Sequence, residues 1–233
     1  MNTLELRQLT YRYPGHTGLA ISNVSLTLPA GQRIALIGRN GSGKSTLLLH
    51  CNGILRPQQG EVWLDGQPVH YDRPSLRRLR QGVGLVLQNA DDQLFSASVR
   101  QDISFGPLNL GLSETAVRQR VAEVADLCCL TELLNRPTHA LSGGEKVRVA
   151  LAGVLAMQPT FLIADELTGS LDPWMKQQVM AIVEAVVQQG RTVLLATHDW
   201  ALARSWADRV IWLDGGRIVQ DTSAAQINWP QIM

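Results

Sequence analysis

The sequence predicts a mixed α/β fold: a mainly parallel central sheet, an antiparallel β side sheet and an inserted helical subdomain. Three observations carry this prediction. Ile34–Ile37, Val83–Leu87, Phe161–Ala164 and Val193–Ala196 are short continuous apolar runs, as parallel strands covered on both faces have. Leu4 and Leu6, and later Val24, Leu26 and Leu28, alternate with polar residues, as half-buried antiparallel strands do. Helical stretches separate the apolar runs in the middle of the chain, the order of an α/β core.

In chain order, the alternating segments come first, and Ile34–Ile37 then leads into a glycine-rich loop and a helix starting at Leu47-Leu48-Leu49. Residues 95–157 carry helical signals and no clear strand. Ser113–Leu130 sets Val117, Val121, Val124 and Cys128 on one stripe, and a further helix is expected over Lys146–Met157. Met175–Gln189 does the same with Val179, Ile182, Val183, Val186 and Val187. Val210–Leu213, the turn Asp214-Gly215-Gly216 and Arg217–Val219 close the chain as a hairpin. One domain is expected over residues 1–233, with an α/β core from about 1–94 and 158–233 and a helical subdomain over about 95–157.

The 233 residues include 21 Lys+Arg against 20 Asp+Glu, a net charge of +1. That balance argues against a protein that coats duplex nucleic acid, and no nucleic-acid partner is expected. Cys51, Cys128 and Cys129 form no C-x-x-C pair, so neither a disulfide framework nor a zinc site is indicated. The N-terminus lacks the apolar core of a signal peptide. The longest apolar run, Val149–Met157, is far short of a bilayer span. A cytosolic chain is expected, whose work at a membrane would need another chain to supply the spanning helices.

Gly38-Arg39-Asn40-Gly41-Ser42-Gly43-Lys44-Ser45-Thr46 matches G-x-x-x-x-G-K-[ST] between a strand and a helix. Glycines at 38, 41 and 43 let successive backbone N–H groups curl inward around phosphate oxygens. The following helix adds its N-terminal partial charge. Lys44 brings a point charge to the β- and γ-phosphates, and Ser45 a hydroxyl to Mg²⁺. Phe161–Ala164 then ends in Asp165-Glu166, beyond the carboxyl end of a parallel strand, where ligands of such sheets bind. Asp165 is the candidate Mg²⁺ residue and Glu166 the candidate general base. A second anion-binding helix start lies at Leu141-Ser142-Gly143-Gly144-Glu145. One nucleotide does not need two such cradles from one chain, so this one is expected to act in trans.

In that order and combination the motifs resemble the ATPase subunits of ABC transporters, whose signature is LSGGQ, over nearly the whole chain. The resemblance implies a P-loop NTPase core, ATP as substrate with Mg²⁺, hydrolysis, and a head-to-tail pair with a second ATPase subunit, identical or related. It implies that Tyr13 stacks on adenine, with Tyr11 as the competing residue. Gln88 would touch Mg²⁺ and the attacking water, His198 the γ-phosphate, and Asp172 the dimer interface. Catalysis would then rest on Lys44, Gln88, Glu166 and His198, with Ser142, Gly143, Gly144 and Glu145 working in trans. Gln88–Phe95 and Ile103–Asn109 are similar to the cobalt/nickel and energy-coupling-factor importers. Those importers add an integral membrane scaffold and a small substrate-binding membrane protein, which would place this chain at the cytoplasmic face of the membrane. Three residues depart from the family pattern: Glu145 for Gln, Leu167 for Pro and Ala164 for a bulkier residue. They leave a non-hydrolysing regulatory subunit as the alternative.

Overall fold

The computed structural model describes residues 2–227 and 229. Strands β1 (Thr3–Tyr11) and β2 (Ile21–Pro29) pair antiparallel, and their alternation buries Leu4, Leu6, Val24, Leu26 and Leu28 on one face. Strand β3 (Arg33–Ile37) runs into the glycine-rich loop and helix α1 (Lys44–Cys51). There follow β4 (Gln59–Leu64), β5 (Gln67–Pro68), α2 (Arg73–Gly82) and β6 (Val83–Val86). Three helices come next: α3 (Val99–Asn109), α4 (Glu114–Leu127) and α5 (Gly143–Leu155). The chain then alternates β7 (Phe161–Asp165), α6 (Pro173–Gln188), β8 (Thr192–Thr197) and α7 (Trp200–Trp206), and closes on β9 (Arg209–Asp214) and β10 (Arg217–Ser223).

The described residues form two sheets. One has the order β2-β1-β4-β5 and is antiparallel throughout. The other has the order β10-β9-β3-β8-β7-β6, parallel except for the β10 edge. The expected α/β class with a side sheet is what the chain adopts. The closing hairpin extends the main sheet rather than joining the side sheet, because β9 pairs parallel with β3.

Every residue of β7 and β8 is buried, which explains their unbroken apolar runs. Leu162, Ala164, Val193 and Leu195 face a core shared with α4, α5 and α6. Phe161, Ile163, Leu194 and Ala196 face a second core with α1 and the antiparallel sheet. Strand pleating makes this division, since successive side chains point to opposite faces.

Among the described residues, six of the seven α-helices begin at a Ser or Asp whose side chain accepts an amide of the first turn: Asp72, Ser98, Ser113, Ser142, Asp172 and Asp199. Helix α1 alone starts without a side-chain cap, at Gly43. Its first amides have no internal partner, and this is where the phosphate motif sits.

Candidate active site

The loop between β3 and α1 is shaped by contacts that only glycine permits. A Cβ on Gly38 would lie 2.2 Å from the Leu213 carbonyl oxygen. Gly43 sits at φ +104°, where a Cβ would lie 2.5 Å from the Ala20 carbonyl oxygen. Gly216 N–H donates to the Ser42 carbonyl at 2.9 Å, which ties the loop to the β9–β10 turn. Arg39, Asn40 and Gly41 are exposed at its rim, and Ser45 is exposed on the first turn of α1. The Ser42 hydroxyl is buried with no hydrogen-bond partner among the described residues, so it has a donor to offer a phosphate oxygen. Lys44, only 6 % exposed, turns its ammonium back onto the loop, donating to the carbonyls of Gly38 at 2.8 Å and Arg39 at 3.3 Å.

Two carboxylates, Asp165 and Glu166, stand at the carboxyl end of β7. Glu166 adopts φ +48°, a left-handed conformation that non-glycine residues take at a cost of about 1–2 kcal/mol. The conformation is held by its own N–H donating to the Ala196 carbonyl at 2.9 Å and by Gly169 N–H donating to its carbonyl at 3.0 Å. Its Oε1 lies 3.9 Å from Lys44 Nζ, and its Oε2 lies 2.9 Å from His198 Nδ1. Lys44, Glu166 and His198, distant in sequence, are thus brought together. Asp165 is buried and its Oδ1 has no hydrogen-bond partner among the described residues. Burial pushes its carboxyl above the ordinary value; the Ser45 hydroxyl and Lys44 act the other way, and the Glu166 charge adds to the rise. Buried oxygen with no partner, beside a hydroxyl, is a donor set that fits Mg²⁺. Gln88 is exposed just past β6, whose Val86 pairs with Ala164, so it lies at the same sheet edge as Asp165. Tyr13 reaches α1, with its hydroxyl 3.2 Å from Thr46 Oγ1.

The second cradle is separate. Helix α5 starts at Gly143, three residues before the expected Lys146, because Ser142 and Glu145 form a capping box. Ser142 Oγ accepts from Glu145 N–H, and Glu145 Oε2 accepts from Ser142 N–H at 2.7 Å. Arg136 donates to the other Glu145 oxygen at 3.2 Å. The carboxylate is therefore folded onto its own helix start and paired. The Ser142 amide, then Arg136, hold it below its ordinary value. The S-x-x-E spacing that builds this cap was readable in the sequence; the Arg136 partner was not. Gly144 packs against Met175, a Cβ there lying 2.6 Å from Met175 Cγ. Asp172 caps α6 by accepting from Met175 N–H at 2.9 Å, so Asp172 and the signature lie side by side. Among the described residues no hydrogen bond or ion pair joins Ser142–Glu145 to the phosphate loop.

The ABC transporter family profile matches residues 21–169. The chain belongs to the ABC transporter family. The energy-coupling factor transporter ATP-binding protein EcfA2 of Methanospirillum hungatei is 48% identical over 93% of this chain, which spans 54% of that protein's length. The cobalt import ATP-binding protein CbiO of Rhodobacter capsulatus is 47% identical over 96% of this chain and 80% of its own. Among solved structures, cbiO1 from Clostridium perfringens, part of the ABC transporter complex cbiONQ, superposes with a TM-score of 0.86 at 38% identity. That match covers 96% of this chain and 89% of the other. The ATP-binding cassette MJ0796, dimeric and bound to ADP and Pi after hydrolysis, matches with a TM-score of 0.84 at 28% identity, covering 95% and 98%. ABC ATP-binding subunits of this kind are ATPases.

The two departures at the end of β7, Ala164 and Leu167, are well packed. Leu167 is 4 % exposed and Ala164 fully buried, both in the core shared with α5 and α6. In this cassette, hydrophobic packing steadies the turn after Glu166 where a proline would fix φ.

Proposed function

We propose that this cassette hydrolyses Mg-ATP as one half of a head-to-tail pair and powers a membrane importer of transition-metal ions, cobalt or nickel, or of a vitamin. The observation that carries the reading is the chain's two helix starts with anion-binding chemistry. One is uncapped, at Lys44, beside a base and a metal-type carboxylate; the other is at Gly143, unconnected to the first. A nucleotide on residues 38–46 of one chain would be covered by Ser142–Gly144 of a second. The dimeric relative supports this arrangement.

In the paired state Lys44 leaves the loop carbonyls for the β- and γ-phosphates, and the α1 amides take the oxygens that no side-chain cap occupies. Tyr13 stacks on the base. Glu166 accepts the proton of the attacking water, and His198 moves from Glu166 to the γ-phosphate side. Ser45, Asp165 and Gln88 would hold Mg²⁺, which spreads the charge developing across the β- and γ-oxygens. Pairing excludes water and completes the set of donors around the triphosphate. ATP favours the closed pair because it contacts both halves, and hydrolysis removes that preference.

A groove of about 850 Å³ between α2, α3 and α5 supports the membrane half of the reading. It is lined by Leu76, Arg77, Gln93, Phe95, Phe105 and Met157, and so takes residues from both segments that resemble the importer group. Phe95 and Phe105 are 64% and 47% exposed and pack edge to face at 4.6 Å. Apolar side chains so exposed at the mouth of a groove mark an interaction site, and a cytoplasmic segment of the membrane scaffold is the proposed occupant.

The test is to mix two inactive variants, Lys44→Ala and Ser142→Ala. Each mixed pair holds one site with an intact loop and an intact facing signature, so turnover returns. Dead mixtures, together with a wild-type rate per chain that is the same at every dilution, overturn the paired mechanism. Purification from gently solubilised membranes tests the importer. A scaffold and a small substrate-binding membrane protein are expected, and recovery of soluble companions alone counts against it.

A further inference from the structure

His50 carries no assignment in the sequence reading, yet it is the one histidine with no exposed surface. It lies on α1, one turn after Thr46, and its Nδ1 is 2.7 Å from the Thr46 carbonyl oxygen. A carbonyl only accepts, so Nδ1 carries the proton. Burial pushes the ring below its ordinary value, against the pull of the Thr46 carbonyl. Nε2 is buried with no hydrogen-bond partner among the described residues. A polar ring so placed costs stability, and an apolar residue would fill the space without that cost.

The ring completes a circuit. His50 packs edge to face on Tyr11, with centroids 4.9 Å apart at 74°. Tyr11 packs edge to face on Tyr13 at 5.1 Å and 87°. Tyr13 returns to α1 through its hydroxyl, 3.2 Å from Thr46 Oγ1. The circuit thus begins and ends on Thr46, in the first turn of the phosphate-loop helix. The backbone between the two tyrosines is clamped as well: Arg12 N–H donates to Gln58 Oε1 at 3.0 Å, and Gln58 Nε2 donates to the Arg12 carbonyl at 3.1 Å. Tyr11 itself ends β1, paired with Ile21 of β2, so its ring hangs from the antiparallel sheet while His50 hangs from α1.

We infer that His50 and Tyr11 are positioning residues for the nucleotide base, fixing the Tyr13 ring at a set height and tilt above the helix that holds the phosphates. This rests on the reading of Tyr13 as the residue that stacks on adenine. The circuit spans the two halves of the nucleotide site, and an edge-to-face chain transmits ring orientation because each ring's edge meets the next ring's face. Pre-setting that ring removes ordering that the nucleotide would otherwise have to impose on binding. The effect is expected on the base, because among the described residues no hydrogen bond joins these three side chains to residues 38–45 of the loop.

The experiment compares the affinity of the full chain for Mg-ATP with its affinity for inorganic tripolyphosphate, which has the charges and no base. Tyr11→Leu and His50→Asn are the test variants; the asparagine keeps a donor for Thr46 and removes the ring. Both are expected to weaken ATP binding by about threefold to tenfold, the span of one lost aromatic edge contact, with tripolyphosphate affinity unchanged. Tyr11→Phe, which keeps the ring, restores ATP affinity. Equal losses for the two ligands overturn the proposal, since the residues would then act only as packing under the loop. Wild-type ATP affinity in Tyr11→Leu and His50→Asn, while Tyr13→Leu weakens ATP, overturns it and leaves the reading of Tyr13 standing. No effect of Tyr13→Leu itself removes both.

Discussion

Glu166→Gln isolates one chemical property of the site. Glutamine has the shape of glutamate and pays the same backbone cost at φ +48°, and the two backbone hydrogen bonds that hold this conformation do not involve the side chain. The fold is expected to be unchanged. The amide nitrogen or oxygen can still meet His198 Nδ1, now 2.9 Å from Oε2, but neither amide atom takes a proton from water at neutral pH. A positioned general base is worth about 10²–10⁴-fold in rate, which is about 2.7–5.4 kcal/mol of barrier at 1.36 kcal/mol per decade. The substitution removes the Lys44–Glu166 ion pair, 3.9 Å apart, and one negative charge beside the triphosphate, so Lys44 is at least as available to phosphate as before. ATP affinity is therefore expected to stay within about threefold, a change of about 0.7 kcal/mol. Phosphate release at saturating Mg-ATP gives the rate, equilibrium binding gives the affinity, and gel filtration with ATP is expected to show a pair that no longer turns over. Turnover within tenfold of wild type refutes the assignment of the base. Turnover lost together with ATP binding refutes the claim that the carboxylate acts on the proton alone.

Further outcomes follow from the same geometry. Asp165→Asn removes a carboxyl whose proton affinity burial has raised, so its charged form opposes folding above that raised value. The variant is expected to melt higher than wild type at pH 7 without nucleotide, by about 2–4 °C for each kcal/mol recovered, while losing Mg²⁺-dependent turnover; a lower melting point contradicts this. Glu145 is held below its ordinary 4.5, so its contribution is complete above that pH and vanishes as pH falls through its lower folded value. In Glu145→Gln the fall in melting temperature between pH 5 and pH 3 is expected to be shallower than in wild type. Arg136→Ala leaves the Glu145 charge unpaired near the facing triphosphate and is expected to raise KM for ATP by up to about fivefold, the worth of one exposed pair; adding Glu145→Gln restores it. Gly43→Ala places a Cβ 2.5 Å from the Ala20 carbonyl oxygen at φ +104° and is expected to abolish ATP binding in an equilibrium assay, whereas Gly41→Ala, with open space around it, retains part of it.

The sequence by itself determined the elements whose chemistry is local. Apolar runs marked β3, β6, β7 and β8 because strands covered on both faces have no polar side to interrupt them. The loop at residues 38–46, the acids at 165–166 and the start of α5 were legible because glycines, caps and carboxylates act through their immediate neighbours. Several features were not. Strands β4 and β5 lack a clean alternation, α2 is polar on most faces and α7 is only seven residues long, so their placement follows from packing rather than pattern. The pairing of Glu145 with Arg136, nine residues away, needed the intervening turns to be folded. The meeting of Lys44, Glu166 and His198 needed β3, β8 and β7 to lie side by side in an order that is not the chain's own. The link from His50 to Tyr13 needed two sheets to be packed together. Local motifs name the parts because covalent spacing sets their geometry; the distances between parts are set by which faces the hydrophobic cores bury, and only the folded chain decides that.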